Sequence, residues 1–167
     1  MLVLREESAA DFIEAYALVK EAFAQMPFAG GDEQDLVNTL RELGALRLAL
    51  VAELDGEVVG YIAFSPARAL DPGQVWWALG PVAFTPKYQG QGIGGQLITE
   101  GLKRATAAGA VGCVLTGNPA YYRRFGFELA PDHVPPQESA EYFMLKTLAD
   151  VTPIGPIAFH EAFYRNE

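Results

Sequence analysis

The stretch Tyr88–Leu97, YQGQGIGGQL, can be read in two registers. Counted from Gly90 it is G-x-G-x-x-G, with Gly90, Gly92 and Gly95. Counted from Gln89 it is Q-x-x-G-x-G, with Gly92 and Gly94. The first register would open the β-α-β unit of a doubly wound dinucleotide fold. The second would be a helix start whose successive backbone N–H groups converge on an anion. The dinucleotide register makes demands that its flanks do not meet. Its first glycine should follow a strand directly, but Thr85-Pro86-Lys87-Tyr88-Gln89 intervenes. An acid should stand about 20 residues on, at the end of the next strand; that strand ends in Leu115-Thr116-Gly117. A P-loop is excluded because no Gly-Lys-Ser/Thr follows. The anion-cradling register fits better, since Gly92 and Gly94 lack a Cβ and let phosphate oxygens come close. Its bland alternative is a glycine-rich helix start without a ligand.

Working outward, residues 2–5 predict a short first strand. Ser8, with Asp11 three residues on, predicts a helix N-cap with acid in the first turn. Phe12, Tyr16, Val19 and Phe23 then fall on one helical face. Pro27 and Gly30-Gly31 break the chain, and Asp32 can cap a second helix with Leu36, Leu40 and Leu43 on a stripe, ended by Gly44. From 46 to 65 the period changes, and two strands flank Asp55-Gly56, a strong hairpin signal. A Pro/Gly loop over 66–74 leads to a third long strand, VWWALGPVAF (75–84). After the glycine loop a helix runs to about Ala108, with Ile93, Leu97, Ile98, Leu102 and Ala105 on one side and Gly109 as its C′ residue. VGCVLT (111–116) reads as a buried strand, Asn118-Pro119 as N-cap and first residue of a short helix stopped by Gly126, and YFMLKTL (142–148) as a last strand. Residues 153–164 form a tail that packs. The order β-α-α-β-β-β-α-β-α-β is mixed α/β, largely antiparallel at first, with a crossover at the glycine loop.

At 167 residues the chain fits one domain, 1–167, long enough to bury a sizeable core. Half the residues are apolar, with ten Phe and seven Tyr, which excludes a disordered chain. A formal charge of −9 disfavours nucleic acid and is weakly compatible with cationic substrates. No apolar run of about 18 residues could span a membrane, and the N-terminus lacks the pattern of a secretory signal. The single cysteine, Cys113, permits no internal disulfide. Together these predict a cytoplasmic protein.

Val82-Ala83-Phe84-Thr85-Pro86 followed by Gln89-x-x-Gly92-x-Gly94 closely resembles the main cofactor motif of the GNAT superfamily, the acetyl-CoA-dependent N-acetyltransferases. NPAYYRRFGF (118–127) resembles that family's fourth-helix motif, whose Tyr stands four residues before a Gly-Phe; Tyr122 and Gly126-Phe127 have that spacing. The element order is also the family's. LGPVAF and PAYYRRFGF also resemble a bacterial subgroup of small predicted acetyltransferases, most of them without an assigned substrate. The resemblance implies a GNAT-like fold with a twisted, largely antiparallel sheet flanked by helices, acetyl-CoA as cofactor, and no metal. It implies that Val82 and Phe84 pair their backbone with the pantetheine. It implies that Gln89, Gly90, Gln91, Gly92, Ile93 and Gly94 hold the pyrophosphate, and that Asn118, a loose match because the helix start is short, touches the cofactor arm.

Direct acetyl transfer needs three things. A backbone N–H should meet the developing oxyanion; the family takes it from a splay or bulge in the strand here at 75–84, where Gly80-Pro81 can break the ladder. A proton donor should meet the departing sulfur. A phenol of pKa about 10 is neutral at pH 7, and the family spacing selects Tyr122 over Tyr121, with core packing as the alternative for both. A base should take a proton from an ammonium of pKa about 10.4. Many family members carry a Glu on the strand before the loop, but residues 75–84 have no acid. Asp32, Glu33, His133 and Glu141 are the remaining candidates, each more simply read as a solvated loop or helix-end residue. A less basic amine would remove the need. One of Trp76 and Trp77, which face opposite sides of a strand, would be core and the other would line the acceptor cleft. Arg123, Arg124 and Lys87 could reach a phosphate or be solvated. Two lone histidines make no metal site. The acceptor is a small-molecule or peptide amine. The competing class is an acyl-CoA-binding module, a sensor or structural subunit, which the missing strand carboxylate favours and Tyr122 disfavours. Homodimers are common among similar proteins, though nothing in this sequence specifies one.

Overall fold

A computed structural model describes residues 1–24, 33–88 and 90–164. The strands are β1 (Leu2–Glu6), β2 (Leu48–Leu54), β3 (Glu57–Ala67), β4 (Trp76–Phe84), β5 (Gly112–Thr116), β6 (Glu128–Leu129) and β7 (Phe143–Thr147). The helices are α1 (Phe12–Ala24), α2 (Glu33–Glu42), α3 (Ile93–Ala107) and α4 (Pro119–Tyr122). The strands form a seven-stranded sheet in the order β1-β2-β3-β4-β5-β7-β6. β1, β2 and β3 are antiparallel, as are β5, β7 and β6, while β4 and β5 run parallel. α3 is the crossover that a parallel pair requires. The sequence order holds, with one addition: β6, two residues long, which carries too little pattern to be read in advance.

The described residues form two compact units. One comprises those of Met1–Phe64 and Gly80–Leu102; the other, those of Ser65–Leu79 and Lys103–Glu167.

In the first unit the β2–β3 hairpin turns on Asp55 (φ 51°) and Gly56 (φ 83°), the two positive values that a type I′ turn demands. β3 buries both of its faces, as a central strand does. Tyr61 joins a cluster with Ala15, Leu18, Val19 and Val37 of α1 and α2. Its neighbour Gly60 faces α3 instead, where an added Cβ would lie 2.8 Å from Ile93 and 2.9 Å from Leu97. Alternation along one strand therefore sets the two helical layers on opposite faces of the sheet. All five residues of the α3 stripe are buried. The helix ends in a Schellman pair, Ala110 N–H to Ala105 O and Gly109 N–H to Thr106 O, with Gly109 at φ 99°.

Two stripes turn out rotated from their sequence reading. α1 buries Ala15, Leu18 and Val19, while Phe12, Tyr16 and Phe23 are half-buried. α2 buries Gln34, Val37 and Leu40, and Leu43 is exposed. Aliphatic side chains and Gln34 take the buried positions, and the rings of Phe12, Tyr16 and Phe23 lie at the margin, where the Tyr16 hydroxyl stands 2.8 Å from Asp35. Ser8 caps a single 3-10 turn before α1, its N–H donating to Asp11 at 2.7 Å. Pro27, Gly30, Gly31 and Asp32 lie outside the described residues.

In the second unit Trp76, Ala78, Val114, Phe143, Ile157 and Phe159 form the core. Gly112 makes room for the Trp76 ring, which a Cβ there would strike. The tail packs as expected: Ile157, Phe159 and Ala162 are buried.

Candidate active site

The site is built from the chain's own registers, beginning on β4. Its ladder with β5 pairs Trp76 with Gly112, Trp77 with Cys113 and Ala78 with Val114, and ends there. β4 runs on through Leu79–Phe84 without β5 as a partner. The break falls where the sequence puts Gly80-Pro81; this peptide is cis and Gly80 has φ 146°, open to glycine and strained for other residues. Beyond it Ala83 is buried in the cluster beneath α1 and α2, and Val82 and Phe84, on the alternate face, are half-buried. Thr85 N–H closes the strand onto Val59 O at 2.9 Å.

One 3-10 turn over Pro86–Tyr88 leads into the glycine loop. Gly90 (φ 84°) and Gly92 (φ 77°) are left-handed, and a Cβ on either would meet nothing within 4 Å. Glycine is thus required there by the backbone and not by crowding from the protein, and the space above both stays clear. The first intrahelical bond of α3 is Gln96 N–H to Gly92 O at 3.0 Å. The N–H groups of Ile93, Gly94 and Gly95 precede it, in the first turn, where a helix leaves its donors without intrahelical partners. Ile93 turns its side chain into the core, 3% exposed, so it offers only its backbone. Gln91 is exposed, and Gln89 lies outside the described residues.

In the second unit, β5 ends at Thr116 and leads through Gly117 to the cap of α4. Asn118 Oδ1 accepts from Ala120 N–H at 3.0 Å, the N-cap that the sequence predicts. Its amide NH2 is the part left for another partner. Tyr122 is half-buried in an aromatic cluster, its ring 5.0 Å from Tyr121 and 6.1 Å from Phe127, both edge-on. Gly117 is what lets it sit there, since a Cβ would come within 2.5 Å of Tyr122 Cε2. Among the described residues no side chain hydrogen-bonds the Tyr122 hydroxyl. Burial, and secondarily Tyr121, pushes its pKa up to about 12, so the phenol is neutral at pH 7 and holds a proton to give.

His133 Nδ1 lies 2.8 Å from Gly155 O. Glu141 is exposed, Glu33 lies in the first turn of α2, and Asp32 is outside the described residues. Trp76 and Trp77 are both buried, at 1% and 6% exposure, which corrects the expectation that one lines a cleft. Arg124 stacks over Tyr121 at 4.9 Å, Lys87 lies 5.3 Å over Tyr88, and Arg123 reaches only 3.9 Å from Glu128 at the surface. Cys113 is fully buried, and burial pushes its thiol pKa up, which makes it a poor nucleophile. Among the described residues no three His, Cys, Asp or Glu side chains group as metal ligands, and no helix is long and apolar enough to cross a membrane.

One acid escapes any sequence reading. Glu138 holds its carboxylate at the end of β5, accepting from Thr116 Oγ1 at 2.8 Å and from the hydroxyl of Tyr164. No local spacing signals this, because its partners lie 22 and 26 residues away along the chain.

The model of the acetyltransferase (GNAT) family matches residues 15–127. YhbS of Escherichia coli K12, an uncharacterized N-acetyltransferase, is 42% identical over 156 residues, covering 87% of this chain and 91% of that protein. A GNAT family acetyltransferase from Brucella melitensis, solved in complex with acetyl-CoA, superposes with a TM-score of 0.86 at 41% identity, covering 98% of each chain. YhbS from Escherichia coli, solved in complex with CoA, gives a TM-score of 0.90 at 36% identity over 99% of this chain and 93% of that one.

Proposed function

This chain belongs to the acetyltransferase (GNAT) family and is an N-acetyltransferase, and from that premise we propose that it moves the acetyl group of acetyl-CoA directly onto an amine. The observation that carries the reading is the pairing of two features on one strand and its loop: a β4 that outruns its β5 ladder after Ala78, and glycines held left-handed at the start of α3 with clear space above them. The free backbone edge of β4 at Val82 and Phe84 suits an extended amide chain such as pantetheine, which would pair as a further strand. The backbone of Gly90, Gln91, Gly92, Ile93 and Gly94, with Gln89, would hold the pyrophosphate. The Asn118 amide would touch the cofactor arm. Acetyl-CoA supplies the activated thioester; Tyr122, protonated and without a competing partner among the described residues, would give its phenol proton to the departing sulfur. The same reading makes residues 1–167 one domain, working in the cytoplasm on a small-molecule or peptide amine, without nucleic acid, membrane or metal. The missing acid on β4 favours a second reading, an acyl-CoA-binding module without turnover.

Calorimetric titration with acetyl-CoA, with NAD and ATP as controls, tests the cofactor. Micromolar binding of acetyl-CoA alone is expected. Gly92→Asp should abolish it, because the substitution forces a non-glycine residue to φ 77° and brings a carboxylate toward the phosphates. Retained affinity in that variant would remove the loop from the site. Release of free thiol in the presence of amines separates the enzyme from the binding module.

A further inference from the structure

We infer that Glu138 is the carboxylate that receives the acceptor's ammonium group and takes its first proton, which makes the acceptor an alkyl amine that is cationic in solution. This rests on the acetyl transfer proposed above.

The placement follows from β5. Val114 packs in the cluster that Phe159 and Tyr164 line, and Thr116, two residues on, shares that face. There Thr116 Oγ1 and the Tyr164 hydroxyl each donate to one oxygen of Glu138. Leu115 and Gly117 take the other face, where the Tyr122 ring lies against Gly117. A base and an acid therefore flank one strand end on opposite faces, and the residues that seat them, Thr116 and Gly117, are about 3.8 Å apart at Cα. Acyl transfer needs a base at the attacking nitrogen and an acid at the leaving sulfur, two atoms bonded to one carbonyl carbon, and a carbonyl placed beyond the end of β5 would be open to groups from both faces.

The charge argues the same way. Glu138 is half-buried and held by two neutral hydroxyls, and among the described residues no cation pairs with it. A carboxylate has about four acceptor sites, and two of them are taken, so two remain for an ammonium. The hydroxyls orient the group without neutralising it.

The step balances. Glu138 accepts one proton from the ammonium and leaves a neutral amine. The nitrogen lone pair forms the C–N bond, the C–S bond breaks, and the sulfur takes the phenol proton of Tyr122. The phenolate recovers the second nitrogen proton, and Glu138 returns its own to solvent. The products are an acetamide, a thiol and one proton.

The test is thiol release from acetyl-CoA by wild type and Glu138→Gln, with putrescine and lysine amide as alkyl ammonium probes and with hydroxylamine, which is neutral at pH 7. The glutamine keeps the shape and can still bond both hydroxyls. A lost general base should lower kcat/KM for the alkyl amines by about 10²-fold or more and leave hydroxylamine within about threefold. Acetyl-CoA affinity, measured by calorimetry, should not move. Equal losses on all three amines, no loss on any, or a loss of acetyl-CoA affinity would make Glu138 a structural fastening and overturn the inference. Wild-type transfer to hydroxylamine but to neither alkyl amine would overturn it too, with the cofactor reading intact. Failure of the wild type to bind acetyl-CoA would instead strike the underlying reading.

Discussion

Tyr122 illustrates how far a residue can be read alone. Its spacing to Gly126-Phe127 singles it out, and its adjacency to Tyr121 means that only one of the two can face a given point. The fold adds what suits it to the proposed role of acid: burial that keeps the phenol protonated, and a hydroxyl without a hydrogen-bond partner among the described residues. Tyr122→Phe should therefore lower kcat by about 10²-fold or more while acetyl-CoA affinity stays within about twofold. Steady-state kinetics beside calorimetry checks this, and an unchanged kcat would move the role to another donor. Asn118 was legible in the same way as a cap, because its Oδ1 bond to Ala120 N–H is local. Glu138 was not, since nothing short of the folded chain brings residues 116, 138 and 164 together.

At the scale of elements, α3 carries the glycine loop and must lie close to β3 to hold it. Two glycines set that distance. Gly60 on β3 admits Ile93 and Leu97, and Gly101 on α3 admits Phe64, whose Cε1 would lie 2.6 Å from an added Cβ. Two effects compete in Gly101→Ala. Helix propensity favours the variant by about 1 kcal/mol. Overpacking against it costs about 1–3 kcal/mol, and Phe64, fully buried, has no room to swing away. A net loss of stability on the order of 1 kcal/mol is expected from urea unfolding; a stabilised variant would refute the close approach. The apolar stripe of α3 was legible because four of its five residues are Ile or Leu at helical spacing. Those of α1 and α2 were misplaced by a fraction of a turn, because Ala15 and Gln34 carry little hydrophobic signal and yet are buried beside Leu18, Val19, Val37 and Leu40.

At the scale of the molecule, stability should depend on pH through one buried carboxylate. Asp11 is 5% exposed, and Arg5 grips it at 2.7 and 2.9 Å while also reaching Glu53 at 3.0 Å. This ties β1, the turn before α1, and β2. The hydrogen bonds from Arg5 hold the Asp11 carboxyl well below its usual range, against the opposing effect of burial. The folded pKa is thus below the unfolded value of about 3.9, and the unfolded chain binds the proton first as pH falls. The contribution, on the order of 2 kcal/mol, is complete above that value and fades below it. Wild type should accordingly outlast Asp11→Asn in urea at pH 7, begin to lose that margin below about pH 4 and give up the rest only as pH falls through the much lower folded pKa; a margin constant with pH would exclude the linkage.

The sequence by itself determined the element order, the hairpin at Asp55-Gly56, the crossover helix, the cap at Asn118 and the family motifs that single out the glycine loop and Tyr122. Each rests on interactions within a few residues: a positive φ, a cap, a helical period, a fixed spacing. Tertiary structure alone decided where β4 and β5 part, that both tryptophans are enclosed, and which carboxylate stands at the end of β5. Those depend on which strand lies beside which and on which tail folds back. Such long-range contacts are set by the closing of the core, and no local pattern of residues encodes them.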